Sequence, residues 1–240
     1  MNETLEPGTV LITGANRGLG LEFCRQYLAN GWTVIGACRQ PDAATDLAAL
    51  DAANLEILAL DVAIEDAVTG LAEKLANRPL DILINNAGVF GPKPKAENDF
   101  RQSFGQLSYP LWAEVLRINT QAPVQLAESL LPNLKAGRHR KVITISSTEG
   151  SIASAPGGLY AYRTSKAAVN MAMALLAKDL AAENILVASI NPGWVKTDMG
   201  GPQAVLEVED SIRSVRRTID QLTPENTGGF FDYDGSTLPW

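Results

Sequence analysis

Apolar runs of five or six residues alternate along the whole chain with longer segments of helical period. The runs at Thr9–Thr13, Thr33–Cys38 and residues 55–60, 80–84, 141–146 and 185–190 are almost continuously apolar, as strands buried on both faces are. Between them, residues 18–30, 64–76, 109–134, 161–183 and 205–221 carry helical patterns, and residues 229–233 predict a last strand. Gly31 stands where a helix-terminating glycine belongs. This alternation predicts an α/β fold: a central parallel sheet of about seven strands with helices on both faces. No linker, repeat or low-complexity segment interrupts it, so residues 1–240 read as a single doubly wound, Rossmann-type domain.

Composition narrows the class. Apolar residues make up 46 % and charged residues 20 % of the 240, ordinary for a soluble globular protein. The net charge of −7 argues against a nucleic-acid partner, and a polyanionic cofactor then needs a local basic site. No apolar run approaches the ~18 residues of a membrane span, and residues 1–6 lack the pattern of a signal peptide. Cys24 and Cys38 do not suggest a disulfide framework, in keeping with a reducing, cytoplasmic location. His139 is the only histidine and lies in a basic turn expected to be solvated. A multi-histidine metal site is thereby excluded, a Ser-His-Asp triad is disfavoured, and no metal is predicted.

Tyr162 and Lys166 stand four residues apart in a predicted helix, which puts both on one face. A phenol titrates near ~10, and a neighbouring cation is expected to pull that value toward neutrality. Such a pair exchanges a proton with a carbonyl or alcohol oxygen. Tyr160 has Thr164 four residues on and so no lysine partner.

The run Thr13-Gly14-Ala15-Asn16-Arg17-Gly18-Leu19-Gly20 follows the first strand and opens the first helix. Glycines at 14, 18 and 20 permit a tight turn and close approach to a pyrophosphate, which the helix N-terminus attracts. An acid at the end of the second strand would bind a ribose 2′-OH. The chain has Ala37-Cys38-Arg39 there, with no acid until Asp42, and Arg17 lies in the glycine loop. Two guanidinium groups suit a 2′-phosphate, so NADP(H) is preferred over NAD(H).

These motifs, with Asp61-Val62, Asn85-Asn86-Ala87-Gly88, Asn119, Ser147 and Pro192-Gly193-x-x-x-Thr197, come in an order that resembles the short-chain dehydrogenase/reductase family over the whole chain. Residues 158–166, 192–199 and 232–240 resemble its C-factor and sniffer-like carbonyl reductase branch. The resemblance implies that Asp61 and Val62 border the adenine. Asn85, Ala87 and Gly88 line the ribose and pyrophosphate side. Thr197 and the Val195 backbone hold the carboxamide. Tyr162 is the general acid in reduction, and Lys166 tunes it and holds the nicotinamide ribose. Ser147 binds the substrate oxygen, and Asn119 holds a water that links Lys166 to solvent. Ser146 and Thr148 are the alternatives to Ser147, because residues 155–158 look like an insertion before Tyr162.

The implied activity is NADPH-dependent reduction of an aldehyde, ketone or quinone. A C-factor-like signalling or redox-sensing protein with little turnover is the alternative, and a dehydratase or epimerase on the same scaffold a third. Candidate substrate walls are residues 89–108, with Phe90, Phe100, Phe104 and Tyr109, and the segment after Met199, hinged at Gly200-Gly201. The helix at 161–183 is apolar around much of its circumference, which predicts a homodimer or homotetramer.

Overall fold

The computed structural model describes residues 5–240; residues 1–4, part of the segment without a signal-peptide pattern, lie outside the described part. Seven strands form one sheet in the order β3-β2-β1-β4-β5-β6-β7. They are β1 (Thr9–Thr13), β2 (Thr33–Cys38), β3 (Leu55–Ala59), β4 (Ile82–Asn85), β5 (Lys141–Ile145), β6 (Leu186–Ile190) and β7 (Phe230–Phe231), and all neighbours pair in parallel. The order reverses between β1 and β4, the place where open α/β sheets leave a crevice at their carboxyl ends.

The helices are α1 (Gly18–Ala29), α2 (Thr45–Ala48), α3 (Glu65–Lys74), α4 (Pro94–Glu97), α5 (Tyr109–Leu116), α6 (Ala122–Ser129), α7 (Leu131–Ala136), α8 (Tyr160–Asp179) and α9 (Val208–Asp220). Side chains alternate across each strand, and this divides the core in two. Val10, Ile12, Ile84, Ile143 and Ile190 pack against Phe23 and Tyr27 of α1 and Ile212, Val215 and Ile219 of α9. Leu11, Leu83, Val142 and Val187 face the other way, onto Val68 of α3, Leu126 of α6 and Val169 and Met173 of α8. Buried apolar faces on both sides of the sheet explain the almost unbroken apolar strands in the sequence.

The helix predicted over 109–134 is broken into α5, a π turn at Arg117–Gln121, α6 and α7. Proline is the cause. Pro123 has no N–H to give the Asn119 carbonyl, and the Ala122 N–H instead reaches back five residues to the Arg117 carbonyl. Pro132 stands in the first turn of α7 and ends the preceding helix at Leu130. Gly31 does follow the end of α1 with a φ of +77°, the left-handed conformation that favours glycine there.

Candidate active site

The turn after β1 is shaped by what glycine lacks. Gly14 has a φ of +64°, and a Cβ on it would lie 3.0 Å from the Ala87 Cα. A Cβ on Gly20 would lie 2.2 Å from the Gly14 carbonyl oxygen, so only glycine lets α1 start so close to the turn. Gly18 has a φ of +55° and faces the Thr197 methyl. Arg17 precedes α1 without capping it, and no acid lies in the first turn, so the helix N-terminus is open to an anion. Asn16 and Leu19 are half-buried in the same turn.

The turn after β4 locks onto this loop. The Thr13 hydroxyl accepts from the backbone N–H groups of Asn86 at 3.1 Å and Ala87 at 3.0 Å. The Asn86 amide donates to the carbonyls of Thr13 at 2.8 Å and Gly14 at 3.2 Å. Asn86 was not among the expected site residues; its pairing with Asn85 in the sequence reads equally well as a turn. Asn85 points elsewhere. It is buried, and its amide nitrogen lies 3.4 Å from the Thr144 hydroxyl and 3.5 Å from the Pro123 carbonyl. As the last residue of β4 its side chain faces the α6 layer, away from the crevice.

Asp61 and Val62 are half-buried beyond β3, and the Asp61 carboxylate accepts from the Ala63 N–H at 3.0 Å. Arg39 is exposed at the end of β2. The Arg17 guanidinium reaches across the crevice to Asp198.

Four side chains meet under the crevice. Tyr162 and Lys166 lie in the first two turns of α8, both buried. The Lys166 ammonium lies 5.8 Å from the centre of the Tyr162 ring and donates to the Ile145 carbonyl at 2.8 Å. Burial pushes Lys166 down to about 8. Burial also pushes the Tyr162 phenol up, to about 12; the Ser147 hydroxyl beside it pulls the other way, and the Glu149 carboxylate adds to the rise. The expected lowering of Tyr162 by Lys166 is therefore not what dominates here. The phenol ring packs against Phe90, centroid to centroid 4.4 Å, and Lys166 directs its proton to a carbonyl. A phenol with so high a value is protonated at neutral pH, the state that gives a proton.

Ser146 and Ser147 are sorted by direction. The buried Ser146 hydroxyl donates to the Asn170 side chain at 2.6 Å, away from the crevice. Ser147 Oγ accepts from the Glu149 N–H at 3.2 Å, and its hydroxyl lies beside the Tyr162 phenol. Asn119 is buried in the π turn rather than solvated. Its side-chain oxygen accepts from the Val89 N–H at 2.9 Å, and its nitrogen donates to the Val89 carbonyl at 2.8 Å and the Ser165 hydroxyl at 3.0 Å. Gly88 lies between: a Cβ there would stand 3.2 Å from the Asn119 oxygen and 3.8 Å from the Lys166 nitrogen. The π turn thus presents Asn119 toward both Lys166 and the backbone after β4.

Gln102 is a second residue the sequence did not reveal. Fully buried in a loop, it donates to the carbonyls of Phe90 and Pro92, both at 2.9 Å, and accepts from the Tyr162 N–H at 2.9 Å. It ties the start of α8 to the wall after β4. A glutamine among loop residues carries no pattern that would have singled it out.

The wall after β6 closes the opposite side. Pro192 is buried, and Gly193, with a φ of +81°, packs against Leu206 and Tyr233. Val195 is buried and bridges to Leu206. The Thr197 hydroxyl accepts from the Gly200 N–H at 3.0 Å. A cavity of about 570 Å³ is lined by Lys196, Thr197, Asp198, Gly201 and Pro202. Of the expected aromatic wall only Phe90 touches Tyr162. Phe104 and Tyr109 are exposed and stack on Tyr160 and Trp112, a ladder beside α5 and the start of α8.

The residues present fit a dinucleotide. The tight turn that Gly14 and Gly20 permit, the uncapped start of α1 and the lack of an acid at the end of β2 leave a place for its phosphates. Among the described residues no cluster of three or more His, Cys, Asp or Glu is placed to hold a metal.

The sequence profile of the short chain dehydrogenase family matches residues 8–205. The chain belongs to this family of oxidoreductases. Its relatives include C-signal of Myxococcus xanthus, 42 % identical over 170 residues that make up 70 % of this chain and 98 % of C-signal. Its fold matches the carbonyl reductase Sniffer of D. melanogaster with a TM-score of 0.89 and 36 % identity, over 98 % of this chain and 100 % of that one. The NADPH-bound carbonyl reductase from chicken fatty liver matches with a TM-score of 0.88 and 31 % identity, again over 98 % and 100 %.

Proposed function

We propose that this chain is an NADPH-dependent carbonyl reductase acting on an aldehyde, ketone or quinone, with residues 1–240 working as one dinucleotide-binding domain. The observation that carries the reading is the grouping of the buried Tyr162 with Ser147 beside its hydroxyl and the Lys166 ammonium 5.8 Å from its ring. NADPH supplies the hydride. Gly14, Asn16, Arg17, Gly18, Leu19 and Gly20 cradle its pyrophosphate, and Arg17 and Arg39 take the 2′-phosphate. Asp61 and Val62 border the adenine. Ala87, Gly88, Pro192, Gly193, Val195 and Thr197 line the remainder.

Ser147 hydrogen-bonds the substrate oxygen and fixes the distance to the carbon. Tyr162 gives its proton to that oxygen as negative charge builds there. The nearby Lys166 ammonium stabilises the phenolate that remains and hydrogen-bonds the nicotinamide ribose. Lys166 then passes a proton to the Tyr162 phenolate, and Asn119, fixed by Val89 and Ser165, holds the path by which Lys166 regains one from solvent. NADPH consumption with a panel of aldehydes, ketones and quinones tests the activity: turnover on at least one class is expected, and none across the panel despite tight NADPH binding counts against it.

The likeness to C-signal favours one other reading, a signalling protein that binds NAD(P) with little turnover. That role has no need of a buried acid aimed at a substrate, so the assembled site weighs toward the reductase. We assign a homodimer or homotetramer through the exposed apolar face of α8, where Met171 is 63 % and Leu175 54 % exposed. A monomer by light scattering at micromolar concentration would overturn it. Two free cysteines fit a cytoplasmic location, which cell fractionation checks.

A further inference from the structure

Asp198 stands on the segment after β6, across the crevice from the glycine loop. Its carboxylate forms an ion pair with the Arg17 guanidinium, and its backbone carbonyl accepts from the Lys93 ammonium at 3.1 Å. Its neighbour Thr197 faces Gly18. Three segments that meet at the mouth of the crevice, those after β1, β4 and β6, thus converge on one residue. The pair is open to solvent, with the Arg17 side chain 66 % and Asp198 77 % exposed, so a ligand phosphate can reach the guanidinium.

Asp198 engages the Arg17 guanidinium through Nη1, and this ion pair draws the flexible side chain toward the segment after β6. Among the described residues Arg39 has no ion-pair partner, so of the two arginines assigned to the 2′-phosphate only Arg17 is already engaged. We propose that Asp198 tempers the cofactor selectivity of this chain, by holding Arg17 in an ion pair that competes with the 2′-phosphate of NADPH for the guanidinium. The inference rests on the NADPH reading above. It makes Asp198 a specificity residue that weakens the preference Arg17 and Arg39 create. NADH, with no 2′-phosphate, leaves the pair in place and escapes the competition.

The test is direct binding of NADPH and NADH, by calorimetric titration, to wild type, Asp198→Asn, Arg17→Ala, the double variant and Arg39→Ala. An exposed pair contributes little, so Asp198→Asn is expected to tighten NADPH by about two- to five-fold. NADH binding stays within the error of wild type and reports that the variant is folded. In the Arg17→Ala background the gain disappears. Asp198→Asn that tightens NADPH and NADH equally, or that keeps its effect without Arg17, shows simple repulsion between a carboxylate and the cofactor and overturns the proposal. No change in NADPH affinity overturns it too. If wild type binds both nucleotides alike and Arg39→Ala changes neither, the NADPH preference itself has failed and the role of Asp198 falls with it. A wild-type preference lost in Arg39→Ala, with Asp198→Asn silent, defeats the Asp198 proposal alone.

Discussion

The two sides of the crevice are built by different means. On the cofactor side, the turns after β1 and β4 are closed by backbone and short side-chain bonds. Thr13 and Asn86 make four of them between the two turns, and glycines stand where any Cβ would collide. On the opposite side, residues 194–205 carry exposed Trp194, Met199 and Val205, and one solvent-open ion pair crosses to the cofactor side. Backbone that must approach a phosphate leaves almost no freedom in residue type. Side chains that only border a substrate leave a great deal.

That contrast can be broken by substitution, and the largest effect belongs to the cofactor side. Gly20→Ala puts a methyl 2.2 Å from the Gly14 carbonyl oxygen, a backbone atom with nowhere to go. Overpacking of this kind costs on the order of 3 kcal/mol. Denaturant unfolding is expected to show that loss together with lost cofactor binding, and a variant with wild-type stability and affinity would erase the distinction between the two sides.

A smaller effect tests the electrostatics beneath the crevice. Lys166 is lowered to about 8 from an ordinary 10.5. Between those values the unfolded chain holds a proton that the folded chain has released, so stability rises with pH across this window. Below it the full cost of burying the ammonium persists. From pH 8 to 9.5 wild type is expected to gain on the order of 2 kcal/mol more than Lys166→Met. Parallel stability curves for the two proteins would show that burial of this amine is not costly.

The smallest effect on stability is predicted across the crevice. Trp194 is 52 % exposed, with its indole N–H on the Gly200 carbonyl at 2.9 Å. Trp194→Ala is expected to change stability by less than about 1 kcal/mol while shifting the relative kcat/KM of bulky and small carbonyl substrates. A large stability loss with unchanged selectivity would assign Trp194 to the scaffold.

The same contrast explains what the sequence made legible. The glycine loop, the six buried strands from Thr9 to Ile190 and the pairing of Tyr162 with Lys166 all follow from backbone or periodicity, and all are found in the structure. Ser146, Ser147 and Thr148 were all candidates because they follow one another after the same strand; the bond from Ser146 to Asn170 sets Ser146 apart. The long helix over 109–134 failed where Pro123 removes one N–H, and the π turn it produces is what buries Asn119. Gln102 and Asn86 were invisible because their partners are backbone groups distant in the chain. Phe104 and Tyr109 were misplaced because an aromatic residue near a site in sequence says nothing about which side of α5 it takes.

The central claim is that Tyr162 gives the proton to a carbonyl oxygen. The most direct measurement compares NADPH consumption by wild type and Tyr162→Phe on a responsive carbonyl substrate, with NADPH affinity measured beside it. The account predicts turnover at least about a hundredfold lower in Tyr162→Phe with NADPH binding intact. A variant that keeps most of the wild-type turnover would contradict it.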